Sequence, residues 1–306
     1  MRVGSEVRVT VPAKINLSLS VGPRRPDGYH DIATVFHAVG IYDDVTLTPA
    51  PDGSGVTVRM VGDATEQLPT DDGNIAVRAV RLAAARAGRP DDVQLEIAKA
   101  IPIAGGMAGG SADAAAVLAG CAALWPNSLD ATALHDLASQ LGSDVPFLLE
   151  GGTMIGTGRG EVLTPVLAQG GFHWVIAVSD AGLSTPAVYA ELDRLREGRE
   201  VRPPAVADDL LRALRGGDAR ALGRCLHNDL QEAALSLRPS LSRVLEAGSD
   251  LGSLGGIVSG SGPTCVFLSR DREHALDIAV GLTTTGLVRV VRHAISPVEG
   301  ARVIAG

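Results

Sequence analysis

The segment PIAGGMAGGSAD at residues 102–113 has the composition of a loop that could bind a ligand. It follows a predicted strand and runs into a predicted helix, and its glycines allow positive φ angles and close approach of the backbone to a bound group. A helix N-terminus presents unpaired N–H groups and the positive end of the helix dipole, which suits phosphate. A tight turn capped by Ser111 is the alternative. The segment matches neither the GxxxxGK[ST] pattern nor a GxGxxG dinucleotide fingerprint.

Lysine is rare in this chain, since only Lys14 and Lys99 occur among the 27 basic residues. This usage hints that a compact ammonium is required at these two positions. Lys14 lies in an alternating apolar segment that predicts a strand. Its side chain shares a face with Asn16, because strand residues two apart point the same way. The alternatives are a lysine at a sheet edge with its amino group in water and a buried structural amide at Asn16.

Other polar residues lie in predicted loops and at predicted helix ends. Tyr29 and His30 place two rings in a polar loop rich in Pro and Gly, which suits a pyrimidine stacked on one ring and read at its edge by the other. Taken alone, Asp144 is explained as the cap of a turn before a proline. Asn74 and Thr185 are explained equally well as helix N-caps.

The elements that must position these residues are strands and helices in irregular order. In the first half, strands are predicted at 6–11, 14–21, 31–39, 43–49, 55–61 and 93–97, and helices at 74–87, about 111–124 and 130–141. In the second half, strands are predicted at 173–178, around GIVSGSGPTCVFLS and at 287–294, and helices at about 185–196, 207–215, 218–226, 240–247 and 271–283. A polar connector is predicted at 198–206. This order indicates an α+β protein rather than a doubly wound sheet.

Composition excludes several classes of protein. The hydrophobic fraction of 45% and charged fraction of 20% are typical of a globular protein, and 306 residues suffice for two domains. The net charge of −8 argues against a nucleic-acid-binding surface. The three cysteines are far apart and indicate neither a disulfide framework nor a zinc site. Because neither a signal peptide nor a membrane span is evident, we expect a soluble, cytoplasmic protein without nucleic-acid or membrane partners.

Three motifs together resemble those of the GHMP kinases, a superfamily of ATP-dependent small-molecule kinases. PIAGGMAGGSADAA resembles their ATP-binding loop, and SGSGPTCVF at 259–267 resembles their C-terminal glycine motif. PAKINLSLSVGPRRPDGYHDIATVF at 12–36 resembles the N-terminal motif of the branch that phosphorylates 4-diphosphocytidyl-2-C-methyl-D-erythritol, and DGYH is its most specific part. The motifs span residues 12–267, so the resemblance covers essentially the whole chain.

The resemblance implies a two-domain α+β fold. Residues 1–160 would form a domain like the second domain of ribosomal protein S5, and residues 161–306 a ferredoxin-like domain, with ATP and substrate in the cleft between them. The implied reaction is transfer of a phosphoryl group from ATP, with Mg²⁺, to the 2-hydroxyl of the cytidine diphosphate-linked methylerythritol, in the non-mevalonate route to isoprenoid precursors. The alternatives are another GHMP kinase, acting on mevalonate, homoserine or a sugar, and a non-catalytic S5-like binding protein.

The resemblance also implies roles for individual residues. Lys14 would stabilise the attacking oxygen and the moving phosphoryl group, and Asp144 would be the general base for the substrate hydroxyl. The implied substrate-binding residues are Asn16, Tyr29, His30, Thr185 and Tyr189, of which the aromatic residues would enclose the cytosine. The implied ATP-binding residues are Asn74, Pro102, Ile103, Ala104, Gly105, Gly106, Met107, Ala108, Gly109, Gly110, Ser111 and Ala112.

Two positions depart from the pattern of that superfamily. Many relatives have Gly where this chain has Ala104, and a second Ser where it has Ala112. A hydroxyl contact to phosphate or Mg²⁺ at position 112 is therefore excluded. Ser111 is the residue that would supply any such contact.

Overall fold

In a computed structural model, the chain forms two sheets that are each covered by helices, and the structure describes residues 6–62, 65, 68–103, 105–179 and 182–304. The strands are β1 (Val7–Arg24), β2 (His30–Pro49), β3 (Thr57–Val61), β4 (Val93–Ala98), β5 (Thr153–Thr157), β6 (Val162–Pro165), β7 (Phe172–Val178), β8 (His227–Asn228), β9 (Gly255–Val258), β10 (Cys265–Ser269), β11 (Val290–Ser296) and β12 (Arg302–Ile304). The helices are α1 (Ile75–Ala87), α2 (Gly109–Leu124), α3 (Ala131–Leu141), α4 (Val145–Glu150), α5 (Thr185–Leu195), α6 (Asp208–Gly216), α7 (Ala219–Cys225), α8 (Gln231–Leu237), α9 (Ser240–Asp250) and α10 (Arg272–Thr284).

The first sheet is built around β1 and β2, which form one long antiparallel pair. The strand order is β12-β1-β2-β4-β3, with β5 and β6 extending from β2 and β8 pairing with β1. The four shorter strands predicted over this region lie in the right places, but they join into two continuous strands. The pairing continues through register shifts at 12/13, 16/18 and 21/24, because β-bulges bend a strand without ending its ladder.

Helices α1 to α4 share one hydrophobic core with the first sheet, and α2 packs directly against β1 and β2. Small residues on α2 permit this close contact, since a Cβ atom on Gly120 would lie only 2.3 Å from Leu47 Cδ1. The helix begins at Gly109, two residues before the predicted start near residue 111, and the alternative in which Ser111 caps the turn is wrong. The N-cap residue is Ala108, whose φ of 58° is left-handed, and no side chain caps the helix.

The second sheet has the order β11-β7-β10-β9 and is antiparallel throughout. Helices α5 to α9 connect β7 to β9, and α10 connects β10 to β11. Taking the four strands in chain order, the sheet order is fourth, first, third, second, which is the ferredoxin-like arrangement. The α+β prediction with a ferredoxin-like second half is therefore confirmed.

Several short elements were not predicted, namely α4, α8, β5, β6, β8 and β12. Strand β12 returns the last described residues to the first sheet by pairing with β1, and β6 pairs with β5 in the same sheet. The domain division at residue 160 stays a prediction. The polar connector at 198–206 lies between α5 and α6, as predicted.

The larger hydrophobic core lies between the first sheet and α1 to α4, and it extends to one face of the second sheet. The smaller core lies between the other face of the second sheet and α5, α8, α9 and α10. None of the helices in the described ranges combines the length and the apolar character that a membrane span requires. The two sheets thus share packed side chains, and the glycine loop lies where the two halves meet.

Candidate active site

Lys14 lies within β1 and points into the protein, so the alternative of a sheet-edge lysine in water is wrong. Only 6% of the residue is exposed, and Nζ donates a hydrogen bond to Asn16 Oδ1 at 2.8 Å. Asn16 Nδ2 in turn donates to Thr34 Oγ1 at 2.7 Å, and that hydroxyl donates to the carbonyl of Ser18 at 2.7 Å. Lys14 Nζ also lies 5.3 Å from the centre of the Phe36 ring. This chain of contacts fixes the position of the ammonium.

Asp144 is the N-cap residue of α4, but its side chain makes no capping hydrogen bond. Its Oδ2 lies instead 3.7 Å from Lys14 Nζ, and its side chain is 30% exposed, compared with 7% for that of Lys14. The explanation of Asp144 as a turn cap is therefore wrong. A bound hydroxyl could give its proton to this carboxylate, while the ammonium beside it would stabilise the negative oxygen that results.

The glycine loop packs against the second glycine motif. Gly106 has a φ of +72°, and a Cβ atom there would lie 2.7 Å from Ser259 O and 2.9 Å from Gly262 O. A Cβ atom on Gly105 would lie 2.9 Å from Thr264 Oγ1. Gly106 requires glycine, because its φ is left-handed and a side chain there would collide with backbone from the other half of the chain. A side chain at Gly105 would instead collide with the hydroxyl of Thr264. The two motifs that are far apart in sequence thus form one structure.

The start of α2 faces a cavity, which Gly109 and Gly110 line. The first N–H groups of a helix have no partner within the helix, and no side chain caps them here. The alternative of a capped structural turn is therefore not what the loop forms. Such an uncapped helix start suits anionic groups such as phosphate.

A buried lysine beneath the loop, Lys99, was not predicted to belong to the site, although the rarity of lysine was a signal. Its Nζ contacts Asp43 Oδ2 at 2.5 Å and Asp113 Oδ2 at 2.8 Å, and it donates to the carbonyl of Gly109 at 3.2 Å. The other oxygen of Asp43 accepts from the backbone N–H groups of the two residues after Lys99, at 2.6 and 2.8 Å. This cluster ties β2 and the end of β4 to the first turn of α2.

Two carboxylates share one ammonium in this cluster, and burial separates them from water. Burial raises the pKa of Asp113, Lys99 opposes that effect and the neighbouring charge of Asp43 adds to it, so that the pKa is raised to about 7. Burial alone would lower the pKa of Lys99, but the charges of Asp113 and Asp43 outweigh it and the net pKa is raised. Asp113 Oδ1 has no hydrogen-bond partner within the described residues.

The cavity at the loop has a volume of about 570 Å³. Of the predicted site residues it is lined by Lys14, Asn16, Asn74, Pro102, Ile103, Gly105, Gly106, Ala108, Gly109, Gly110, Asp144, Thr185 and Tyr189. An apolar wall on the side of Asn74, formed by Met60, Leu68, Pro69 and Ile75, was not predicted. We refer to this space as the loop cavity.

A second cavity of about 830 Å³, here called the aromatic cavity, adjoins the first. It is lined by Tyr29, His30 and Tyr189, and it shares Tyr189 and Thr185 with the loop cavity. The imidazole of His30 is buried, with Nε2 at 2.8 Å from Asp193 Oδ1, and its ring centre lies 5.2 Å from that of Tyr189. Burial, together with the nearby charge of Asp144, raises the pKa of Tyr189 to about 12, so its phenol is neutral.

Tyr29 is the one of these rings that is open to solvent, with 56% of the residue exposed. The guanidinium of Arg159 lies over it, with Cζ at 5.3 Å from the ring centre. Tyr29 lines the aromatic cavity only. The structure therefore brings the three predicted rings to one cavity, and that cavity shares lining residues with the one that Lys14 lines.

Asn74 and Thr185 were each explained by helix capping as well as by binding. Asn74 does cap α1, since its Oδ1 accepts from Ala76 N at 2.9 Å and its Nδ2 donates to the carbonyl of Pro69 at 2.8 Å. The N-cap residue of α5 is Ser184, so the capping role predicted for Thr185 is wrong. Thr185 Oγ1 lies 2.8 Å from Ser261 Oγ and thereby joins α5 to the second glycine motif.

Four residues of the predicted loop do not line either cavity or cannot be described. Met107 and Ala112 are completely buried, and Ser111 is half-buried but absent from both linings. Met107 takes part through its carbonyl, which accepts from Lys14 N at 3.4 Å. Ala104 lies outside the described residues. An ATP contact at these positions stays a prediction.

Comparison with known proteins places this geometry in a family. The GHMP kinases N terminal domain matches residues 74–152, and the GHMP kinases C terminal domain matches residues 210–286. A 4-diphosphocytidyl-2-C-methyl-D-erythritol kinase of Salinispora arenicola is 53% identical over 98% of this chain and 95% of its own length. The protein of the same name from Streptomyces avermitilis is 53% identical over 97% of this chain and 99% of its own length.

Solved structures agree with the sequence relatives. A crystal structure of 4-(cytidine 5'-diphospho)-2C-methyl-D-erythritol kinase matches with a TM-score of 0.76 at 32% identity, covering 94% of this chain and 98% of that one. A homoserine kinase from Cytophaga hutchinsonii shares the fold, with a TM-score of 0.77 at 20% identity over 99% of both chains. The chain belongs to the GHMP kinase superfamily and, within it, to the family of the 4-diphosphocytidyl-2-C-methyl-D-erythritol kinases.

Proposed function

We propose that the protein transfers the γ-phosphoryl group of ATP to the 2-hydroxyl of 4-diphosphocytidyl-2-C-methyl-D-erythritol. One observation carries the proposal: Lys14 Nζ and Asp144 Oδ2, 3.7 Å apart, face the same cavity as the uncapped start of α2. The substrate is supported by the names of relatives that are 53% identical over nearly the whole chain. The reaction would supply isoprenoid precursors by the non-mevalonate route, and we propose the cytoplasm as its location.

ATP would bind in the loop cavity with its phosphates at Gly109 and Gly110. The absence of side chains lets the backbone N–H groups approach the phosphates, and the helix dipole favours their negative charge. The apolar wall beside Asn74 suits a flat base such as adenine. The Lys99 cluster would act indirectly, because its bond to the carbonyl of Gly109 fixes the first turn of α2.

Mg²⁺ would accompany ATP and neutralise charge on its phosphates. No group of three or more His, Cys, Asp or Glu side chains within the described ranges is arranged to hold a metal ion. The loop cavity is lined by the carboxylates of Asp113 and Asp144, and Asp113 has an oxygen without a partner in the described part of the chain. Such oxygens fit Mg²⁺, which is usually held by one or two carboxylates together with phosphates and water.

The chemistry assigned to the protein's own groups is proton removal and charge stabilisation. Asp144 would accept the proton of the substrate hydroxyl as that oxygen forms a bond to the γ-phosphorus, and the bond from the γ-phosphorus to the β-phosphate oxygen breaks to release ADP. Lys14 would stabilise the negative charge on the attacking and transferred oxygens. Asn16 would hold the ammonium in position through the bond of 2.8 Å to Nζ.

The cytidine end of the substrate would lie in the aromatic cavity. Tyr189 lines both cavities, so a base stacked on it would leave the rest of the substrate directed towards Lys14. His30 would read the edge of the base through its ring or backbone, with the ring held by the contact of 2.8 Å to Asp193. Stacking of a base on an aromatic side chain contributes about 1–3 kcal/mol.

The proposal is tested by measuring ADP release with a panel of alcohols. We expect the cytidyl substrate to give the highest kcat/KM, and mevalonate and homoserine to give rates near the background of ATP hydrolysis. A kcat/KM that is higher with mevalonate or homoserine than with the cytidyl substrate would show that the protein is a GHMP kinase of another specificity. If none of these alcohols supports ADP release, the non-catalytic alternative is favoured.

A further inference from the structure

Arg159 has an unusual position between the two cavities. It lies in the turn between β5 and β6, its side chain is exposed, and it lines both the loop cavity and the aromatic cavity. The two cavities share only five of the described residues: Ile32, Ser143, Arg159, Thr185 and Tyr189. Arg159 is the one of these five that carries a positive charge, so it is the cation at the junction.

The positive charge of Arg159 is also available to bind an anionic ligand. The other two basic residues that line the aromatic cavity, Arg24 and His30, contact Asp193, at 3.7 and 2.8 Å. The guanidinium of Arg159 lies over the ring of Tyr29 and forms no ion pair with a carboxylate in the described ranges. The nearby carboxylate of Glu161 accepts the backbone N–H of Arg159 at 2.7 Å instead.

The turn that carries Arg159 is held firmly against β2. Ile32 N donates to the carbonyl of Gly158 at 2.8 Å. On the other side of Arg159, a Cβ atom on Gly160 would lie 3.3 Å from Phe36 Cζ. The backbone therefore fixes the point from which the Arg159 side chain extends, while the exposed side chain itself contributes little to the core. Substitution of Arg159 should leave the fold intact.

We propose that Arg159 binds the diphosphate group of the cytidine-linked substrate, an inference that rests on the proposed function. A substrate with its base at Tyr189 and its reactive hydroxyl at Lys14 must pass its diphosphate through the junction. The planar fork of arginine matches phosphate oxygens in a bidentate manner. A protein of net charge −8 also needs local positive charge to attract such an anion.

The geometry favours this diphosphate over the phosphates of ATP. The guanidinium lies over Tyr29, and Tyr29 lines the aromatic cavity but not the loop cavity. In the proposed function, the phosphates of ATP are already bound by the start of α2 and stabilised by Lys14. Arg159 therefore determines specificity for a nucleoside diphosphate-linked alcohol over an alcohol that lacks a diphosphate.

The test compares Arg159→Gln and Arg159→Lys with Arg212→Gln, a control that changes an exposed arginine lining neither cavity. Steady-state kinetics give KM for the cytidyl substrate and for ATP. Calorimetry gives Kd for CDP and for cytidine, with a non-hydrolysable ATP analogue filling the loop cavity. We expect Arg159→Gln to raise KM for the cytidyl substrate and Kd for CDP by about tenfold or more. KM for ATP and Kd for cytidine should stay within about twofold of the wild type, and Arg159→Lys should lie between.

The possible outcomes separate the two proposals. Unchanged KM and Kd in Arg159→Gln, with an active wild type, would overturn the role of Arg159 and leave the proposed function standing. A rise in KM for ATP alone would assign Arg159 to the other ligand and would also overturn the inference. If the wild type does not phosphorylate the cytidyl substrate, the proposed function fails, and the difference between CDP and cytidine binding still decides whether Arg159 holds a diphosphate.

Discussion

Replacing Lys14 by arginine keeps a positive charge at the proposed reaction centre and changes only its shape. The ammonium lies 2.8 Å from Asn16 Oδ1 and 3.7 Å from Asp144 Oδ2. The backbone of Gly260 also lies close to the ammonium, since a Cβ atom on this residue would lie 3.8 Å from Nζ. Arginine would place two further nitrogens about 1.3 Å beyond the central carbon of its fork. Lys14 is only 6% exposed and lines the loop cavity, so these atoms must either displace Asn16 or Asp144 or enter the part of the cavity proposed for the reacting groups.

The size of the effect follows from these distances. The separation of 3.7 Å between Lys14 and Asp144 exceeds a charged hydrogen bond of about 2.8 Å by about 0.9 Å. The fork extends about 1.3 Å, which is about 0.4 Å more than this gap allows, so it must displace Asp144 or Asn16 or occupy the part of the loop cavity proposed for the reacting groups. A misplacement of about 1 Å at a reacting group can cost about a hundredfold in rate. We expect kcat of Lys14→Arg to fall by about that factor, which corresponds to about 2.7 kcal/mol in activation free energy.

The assay is the initial rate of ADP release at saturating ATP and cytidyl substrate, with thermal unfolding to verify the fold. Lys14→Met, which removes the charge, should lower kcat by about 100- to 1000-fold. Arg212→Lys exchanges the same two residue types at an exposed site and should leave kcat unchanged. A folded Lys14→Arg enzyme with a third or more of the wild-type kcat would refute the position of Lys14 at the reacting oxygen.

Three further predictions concern the loop, the base and a buried histidine. Gly106→Ala should raise Kd for an ATP analogue at least about tenfold, because its Cβ would lie 2.7 Å from Ser259 O. Gly216→Ala, which would have no neighbour within 4 Å and lines neither cavity, should bind the analogue normally. Tyr189→Ala should weaken the cytidyl substrate by about 1–3 kcal/mol without changing KM for ATP, and a rise in KM for ATP instead would place the residue on the wrong ligand. Burial lowers the pKa of His37 to about 3, so below pH 6.5 the unfolded chain binds a proton that the folded chain does not. In urea titrations, the wild type should lose about 1 kcal/mol more of its free energy of unfolding than His37→Gln between about pH 6.5 and 5.5; equal losses would contradict the lowered pKa.

Local sequence signals predicted most elements but not all of their ends. Asn74 was predicted either as an N-cap or as an ATP-binding residue, and the cap, which its residue type before an apolar helix favours, is confirmed. The start of α2 was placed two residues late, because Ser111 is a usual capping residue and Ala108 is a rare one in the left-handed conformation, with φ at 58°. Short strands such as β12 were missed because they exist only through pairing with distant strands.

The site was predictable only where the resemblance supplied long-range information. Lys14 and Asp144 lie 130 positions apart in sequence, and their residue types alone favoured a surface lysine and a turn cap. The Lys99 cluster depends on Asp43 and Asp113 meeting one ammonium in the interior, which no local pattern predicts. Arg159 is an ordinary arginine in a turn until the two cavities that it lines are seen together.

The most direct test of the central claim is to follow the reaction by ³¹P nuclear magnetic resonance. The wild-type protein is mixed with ATP, Mg²⁺ and 4-diphosphocytidyl-2-C-methyl-D-erythritol, with Asp144→Asn as the inactive reference. We predict that the ATP γ-phosphate signal is replaced by the signal of a phosphomonoester formed at the 2-hydroxyl of the methylerythritol unit. The diphosphate signals of the substrate should be retained. Release of inorganic phosphate without a phosphomonoester, or the same phosphomonoester from Asp144→Asn at the wild-type rate, would contradict the account.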